Sequence, residues 1–197
     1  MDETLLCLLK DYETAKEIPR HLEKLDTKVM RHLNDFVLSC VEDTFPLVEG
    51  TFLESGEVAF CKSEWISVDS EEWPVCFSVG LEDDEDEYDY WVNHILGLSR
   101  FPLSLYCAFG GMLDGSNKEA VRARLAEVTA ALTAQGFSEV PNKSKRSFYF
   151  IKPLTFDTAA FIEAFENGAL EDAFKPLEAA IKDLDAIVPL MTKAIKA

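Results

Sequence analysis

Seven of the eight residues from 82 to 89 are carboxylates: Glu82, Asp83, Asp84, Glu85, Asp86, Glu87 and Asp89, with Tyr88 between the last two. Acids at this density offer three kinds of chemistry. Two facing each other across a cleft can divide acid and base roles in a hydrolysis. A regularly spaced set can wrap a calcium ion, and an exposed row can stand in for the phosphates of a nucleic-acid backbone. The calcium pattern needs D-x-D-x-D-G spacing with its loop glycine, and residues 82–89 hold no glycine. A catalytic carboxylate pair is made by tertiary contact, so linear spacing does not reveal it. The third chemistry suits the neighbours best. Tyr88, Tyr90 and Trp91 lie in or beside the charges, and flat aromatic side chains are enriched at the anchors of protein interfaces.

Adjacent charges about 6 Å apart in water repel by roughly 0.7 kcal/mol per pair before salt screening. A small domain tolerates that at its surface. Burying one such carboxylate unpaired would cost several kcal/mol more. The run is therefore expected to be exposed.

Other nucleophiles and ligands offer little by comparison. The histidines are His21, His32 and His94. On a helix His21 and His32 share a face yet stand about 16 Å apart along the axis, too far for one metal ion. Five cysteines, Cys7, Cys40, Cys61, Cys76 and Cys107, contain no C-x-x-C pair, and each sits in an apolar stretch. They read as reduced, small hydrophobes. Gly110 and Gly115 have the spacing of a phosphate loop, but Ser116 replaces its lysine and Asp114 would repel a phosphate. An ordinary strand–turn–helix connection is expected there. No G-x-S-x-G elbow or H-E-x-x-H pair occurs, and Lys62 lacks the acid two residues earlier that a nuclease core of the (D/E)-x-K type requires. The basic turn Lys143, Lys145 and Arg146, with Lys118, Arg122 and Arg124, is short and lacks stacking aromatics. It reads as a solvated turn or as a counter-patch for a second copy. The chain is expected to be non-enzymatic, with no cofactor and no metal.

The elements that must carry these residues are legible from periodicity. Around the acids, Tyr88, Trp91, Val92, Ile95 and Leu96 form a helical stripe stopped by Gly97, which predicts a helix beginning within the carboxylates. Upstream, Leu5, Leu6, Leu9 and Tyr12 make a short amphipathic set ended or kinked near Pro19. A longer helix follows, with Leu22, Leu25, Val29, Leu33, Phe36, Val37 and Cys40 inward. Residues 51–54 and 57–65 flank Ser55-Gly56 as a hairpin. Residues 73–81 and 101–109 alternate as strands, through Val75, Phe77 and Val79 and through Leu103, Leu105 and Cys107.

Ser116-Asn117-Lys118-Glu119 is a capping box for a helix to Gln135, with Gly136 as its stop and Val121, Leu125, Val128 and Leu132 inward. Residues 137–140 and 147–154 form a second hairpin. Phe156 and Phe161 bracket Asp157 as a hydrophobic staple around an N-cap. Leu177, Ile181, Leu184, Val188, Met191 and Ile195 keep helical spacing through Pro189. They make either a core-packed helix or half of a helix–helix interface.

These elements define an α+β fold: N-terminal helices, an antiparallel meander of about four to six strands, a capped central helix and C-terminal helices on the sheet. One domain over 1–197 is expected, with helical segments at 1–45 and 155–197 and the sheet with its central helix at 46–154. The start has no basic region or cleavage site, and no stretch is apolar for long enough to span a membrane. A cytoplasmic protein is expected.

Formal net charge is −17, and its placement says more than its size. Residues 46–100 hold fourteen acids against two bases, whereas 101–150 hold four against six. Charge gathered in this way makes a directed field that attracts cationic surfaces and repels nucleic acid and anionic membranes. The sequence accordingly points to an acidic protein-binding protein. Glu82, Asp83, Asp84, Glu85, Asp86, Glu87, Tyr88, Asp89, Tyr90 and Trp91 would dock on a basic, nucleic-acid-binding groove of a protein partner. This is the logic of nucleic-acid-mimicking inhibitors, whether phage anti-defence (anti-CRISPR) proteins or nuclease immunity proteins. The alternative is an acidic chaperone or accessory subunit that holds an aliphatic segment on Leu103, Leu105, Leu184 and Met191. It would homodimerise through the C-terminal helix. A hydrolase with a site invisible in sequence is a third reading. No family resemblance emerges from these residues.

Overall fold

The apolar alternation of the strand stretches and the 3.6-residue stripes of the helices meet in one core. The computed structural model describes residues 17–42, 58–66, 73–80, 90–109, 118–140 and 149–196. Among these, five strands form one antiparallel sheet: β1 (Val58–Phe60), β2 (Cys76–Gly80), β3 (Ser104–Ala108), β4 (Ser138–Val140) and β5 (Tyr149–Pro153). The helices are α1 (Ile18–Val41), α2 (Trp91–Ile95), α3 (Lys118–Arg124), α4 (Ala126–Ala134), α5 (Thr158–Glu166), α6 (Leu170–Ala173), α7 (Lys175–Asp183) and α8 (Val188–Lys196). The class is α+β.

The strand order is β1-β2-β3-β5-β4. β1, β2 and β3 follow one another as a meander. The chain then leaves through α3 and α4 and returns at the far edge as β4, and β5 fills the gap between β3 and β4. The register places Phe60, Phe77, Cys107 and Phe150 in one row across four strands, and all four are buried. One residue along, the row Ala59, Ser78, Tyr106 and Ile151 points to the other face; apart from Ala59 its members are only half-buried. Side chains alternate across a pleated strand, so the contrast between rows identifies the face that carries the helices.

α1 packs against α2, α6, α7 and β1, and α8 against α4. Val29, Leu33, Val37 and Val41 are its buried stripe, with Leu25, Phe36 and Cys40 packed alongside. Leu22 is an exception to the predicted inward set. It is 41% exposed, as is Ile18 at 44%, because the first turns of α1 precede the packed part of the helix. Pro19 stands in the first turn of α1, where a missing N–H costs nothing. Residues 1–16, with Leu5, Leu6, Leu9 and Tyr12, lie outside the described residues.

The predicted strand over 57–65 stops at Phe60, and Ser63–Trp65 forms a 3-10 turn. Tertiary contacts of the indole explain this. Trp65 packs on Phe77 at 6.4 Å between ring centroids and donates its Nε1–H to Thr192 Oγ1 at 2.9 Å. Its proposed hairpin partner, 51–54, lies outside the described residues, as do the turn 110–117 and residues 141–148.

The central helix divides at Leu125 into α3 and α4. Bonds from Leu125 N–H to Val121 O (2.9 Å) and from Thr129 N–H to Leu125 O (2.8 Å) keep the two pieces in line. Val121, Leu125, Val128 and Leu132 are buried as predicted. Gly136 ends α4 at φ +86°. Phe137 N–H bonds Leu132 O and Gly136 N–H bonds Thr133 O, both at 3.0 Å, a closing pattern that needs left-handed backbone at that glycine. Asp157 caps α5 by accepting from Ala159 N–H (2.9 Å) and Ala160 N–H (3.0 Å). Phe156 and Phe161 on either side pack on Phe174. The C-terminal stripe is broken into α7, a 3-10 turn at Leu184–Ala186, and α8. Pro189, which cannot sit inside a continuous helix, is placed in the first turn of α8.

Candidate functional site

The acidic segment is held at both ends. On one side β2 runs to Gly80, paired with Ser104 of β3. On the other, Tyr90 is extended (φ −81°, ψ 140°) and half-buried, and it precedes α2. Residues 81–89, with Glu82, Asp83, Asp84, Glu85, Asp86, Glu87, Tyr88 and Asp89, lie outside the described residues. Trp91 is described, and its ring belongs to the core at 8% exposure, beside Val92 and Ile95. Of the aromatics beside the charges, Trp91 thus packs into the core and anchors the chain there.

α2 begins at Trp91, later than the stripe from Tyr88 suggested, so the carboxylates stand before this helix and not in its first turn. Its opening N–H groups are met from a distance. Val92 N–H donates to Asp26 Oδ1 of α1 at 3.0 Å, across 66 positions of chain that give no local sequence signal. At the other end Gly97 is left-handed (φ +68°), and Leu98 N–H closes onto Asn93 O at 2.8 Å. His94, 5% exposed, donates from Nδ1 to Phe101 O at 2.5 Å. Thr158 of α5 donates to Leu96 O at 3.4 Å. The exit of the acidic segment is therefore fixed by α1, by the approach to β3 and by α5.

Cations of the described residues fall into two groups. Most are in ion pairs: Lys152 with Asp183 (2.8 Å), Lys193 with Glu127 (3.0 Å), Lys196 with Glu64 (3.1 Å) and Lys175 with Asp172 (3.0 Å). Arg122, from the basic cluster noted in the sequence, makes a two-pronged pair with Glu139, and the bond raises its pKa further. Arg124 is exposed; the Lys118 side chain, Lys143, Lys145 and Arg146 lie outside the described residues. The second group is a row on the outer face of α1, Arg20, Lys24, Lys28 and Arg31, all exposed; of these Arg20 also pairs with Glu17 at 3.7 Å. Lys24, Lys28 and Arg31 border a shallow groove with Glu23, Thr27 and His32, and Lys28 also lies over the Phe165 ring at 4.8 Å. The spacing i, i+4, i+8, i+11 makes this row readable from sequence, since those positions share one side of a helix. His21 and His32 are exposed.

The described interior is almost wholly apolar. His94 and Ser104 are its buried polar residues. Among the described residues no group of three or more His, Cys, Asp or Glu is placed to hold a metal ion, and no helix is long and apolar enough to cross a membrane. Burial pushes the Cys61 thiol up to about 12, with Cys76 adding to the effect, and raises Cys107 well above the ordinary thiol range. Cys40 is raised by burial and by Glu178. Such thiols stay protonated at neutral pH. Leu103, Leu105, Leu184 and Met191, offered by the sequence as a surface for an aliphatic segment, are each fully buried. They form core because their strands and helices face one another.

Comparison with protein-family models, with curated proteins and with solved structures finds no match.

Proposed function

We propose that this protein acts by binding, and that residues 82–89 dock as a carboxylate row on a basic groove of a protein partner. The groove is of the kind that otherwise holds a nucleic-acid backbone. The observation that carries this reading is the anchorage of both flanks, with Gly80 paired in the sheet and Trp91, Val92 and Ile95 buried. A charged segment tethered at both ends to a packed core loses less freedom on docking than a tail does. Tyr90, half-buried at the edge of the segment, supplies an aromatic contact beside the charges. An inhibitor of a nucleic-acid enzyme follows as the biological role, with the cytoplasm as its setting. Direct binding to nucleic acid or an anionic membrane is opposed by the net charge of −17.

The test is capture from native lysate by the wild-type chain and by a variant with residues 82–87 changed to Gln and Asn. The folded variant, checked by circular dichroism, should lose the captured protein. Association of the wild type should slow steeply with added salt. Equal capture together with a salt-independent rate would overturn the reading. A homodimer through the C-terminal helix would have to use residues other than Leu177, Ile181, Leu184, Val188 and Met191, which lie in the chain's own core. Light scattering decides that point.

A further inference from the structure

Two cysteines far apart in sequence are brought together at the open end of the β1–β2 pair. Phe60, the last residue of β1, lies opposite Phe77; carried one position further, the register brings Cys61 towards Cys76, and Cys76 is close enough to act electrostatically on the Cys61 thiol. Residues directly opposed in an antiparallel pair have Cα atoms about 4.5–5.5 Å apart. A disulfide spans about 4.4–6.8 Å.

The pleat also sets the direction of each thiol. Phe60 and Phe77 stack at 5.6 Å on the helix-covered side of the sheet, and alternation sends Cys76, the neighbour of Phe77 within β2, to the opposite side; Cys61, one residue beyond β1, is fully buried at the edge of the core. Cys107 pairs in register with Phe77 and not with Cys76, which turns its sulfur to the helix side. Access differs as well. Cys61 and Cys107 are fully buried, whereas Cys76 is only half-buried.

We propose that Cys61 and Cys76 form a modification site, a reversible cross-strand disulfide made when a hydroperoxide oxidises Cys76. In the first step the Cys76 sulfur attacks a peroxide oxygen and the O–O bond breaks. Cys76 becomes a sulfenic acid, and one water leaves when the oxidant is hydrogen peroxide. In the second step the Cys61 sulfur attacks the sulfenic sulfur and the S–O bond breaks. The departing hydroxide takes the Cys61 proton as a second water. Two thiols give up two electrons, and the peroxide accepts them. Burial holds Cys61 protonated up to about pH 12, so it is a poor nucleophile towards peroxide in solution. Its opposed position raises its effective concentration towards an already oxidised neighbour. In a reducing compartment such a bond is transient.

The experiment exposes the folded wild-type chain to hydrogen peroxide, quenches with acid, unfolds the chain, alkylates the remaining thiols and maps the peptides without reduction. The expected result is a Cys61–Cys76 linked peptide, lighter by two hydrogens, that dithiothreitol reverses. The link should persist in Cys107→Ser and vanish in Cys76→Ser, where Cys61 should remain alkylatable. A Cys76–Cys107 link, a covalent dimer, or Cys76 oxidised to an acid while Cys61 is still alkylated would each overturn the proposal.

Discussion

Single residues hold the ends of this fold in place, and some of them do so over long sequence distances. Asp157 is a local case: its side chain answers two opening N–H groups of α5. Asp157→Ala should cost about 1 kcal/mol, within the range found for N-cap removal, and a urea titration would read it. Asp26 is the distant case, since it answers Val92 at the start of α2.

Cys61 gives a pH-dependent prediction with a definite sign. Its ordinary thiol value is 9.0, and in the folded chain it is pushed up to about 12. Between those values the unfolded chain releases the proton while the folded chain keeps it. The contribution of this group is therefore intact below pH 9.0 and is lost as pH rises towards about 12, at roughly 1.4 kcal/mol per pH unit. Cys107 acts in the same direction. Denaturation midpoints should fall more steeply with alkaline pH in the wild type than in Cys61→Ala. Equal slopes would contradict this.

At the scale of elements, α1 shows where a helical pattern and actual burial part company. Leu22 and Leu33 belong to the same apolar stripe, yet Leu22 is 41% exposed and Leu33 fully buried. Leu33→Ala should cost about 2–5 kcal/mol, as a cavity-forming core change does. Leu22→Lys should stay within about 0.5 kcal/mol. Thermal or urea unfolding of the two variants distinguishes burial from periodicity. The strand over 57–65 teaches the same point. Its apolar content was readable, but Trp65 is turned out of the strand by Phe77 and Thr192, which lie far along the chain. The Asp157 cap and the stop at Gly136 were legible because their chemistry is complete within six residues. The Cys61–Cys76 opposition was not, because it depends on strand register.

For the whole molecule, the uneven charge is the feature that bears on function. Residues 46–100 carry fourteen of the 36 acids against two of the nineteen bases. The described cations are mostly in ion pairs or lined along the outer face of α1. If the acidic row docks electrostatically, raising salt from about 0.05 M to about 0.5 M should cut the association rate by orders of magnitude and leave the fold intact. Stopped-flow mixing with the captured partner measures this, and a flat profile would remove the proposed mode of binding.

Composition, local caps, stops and alternation by themselves determined the α+β class, the antiparallel strands and the acidic segment, because each rests on neighbours within a helical turn or a strand. Tertiary structure alone decided the strand order, the start of α2 and the burial of Trp91, Leu103, Leu105, Leu184 and Met191. It also brought Cys61 within electrostatic reach of Cys76. Those features depend on which surfaces pack together, and that is a property of the assembled core and not of any one stretch of chain.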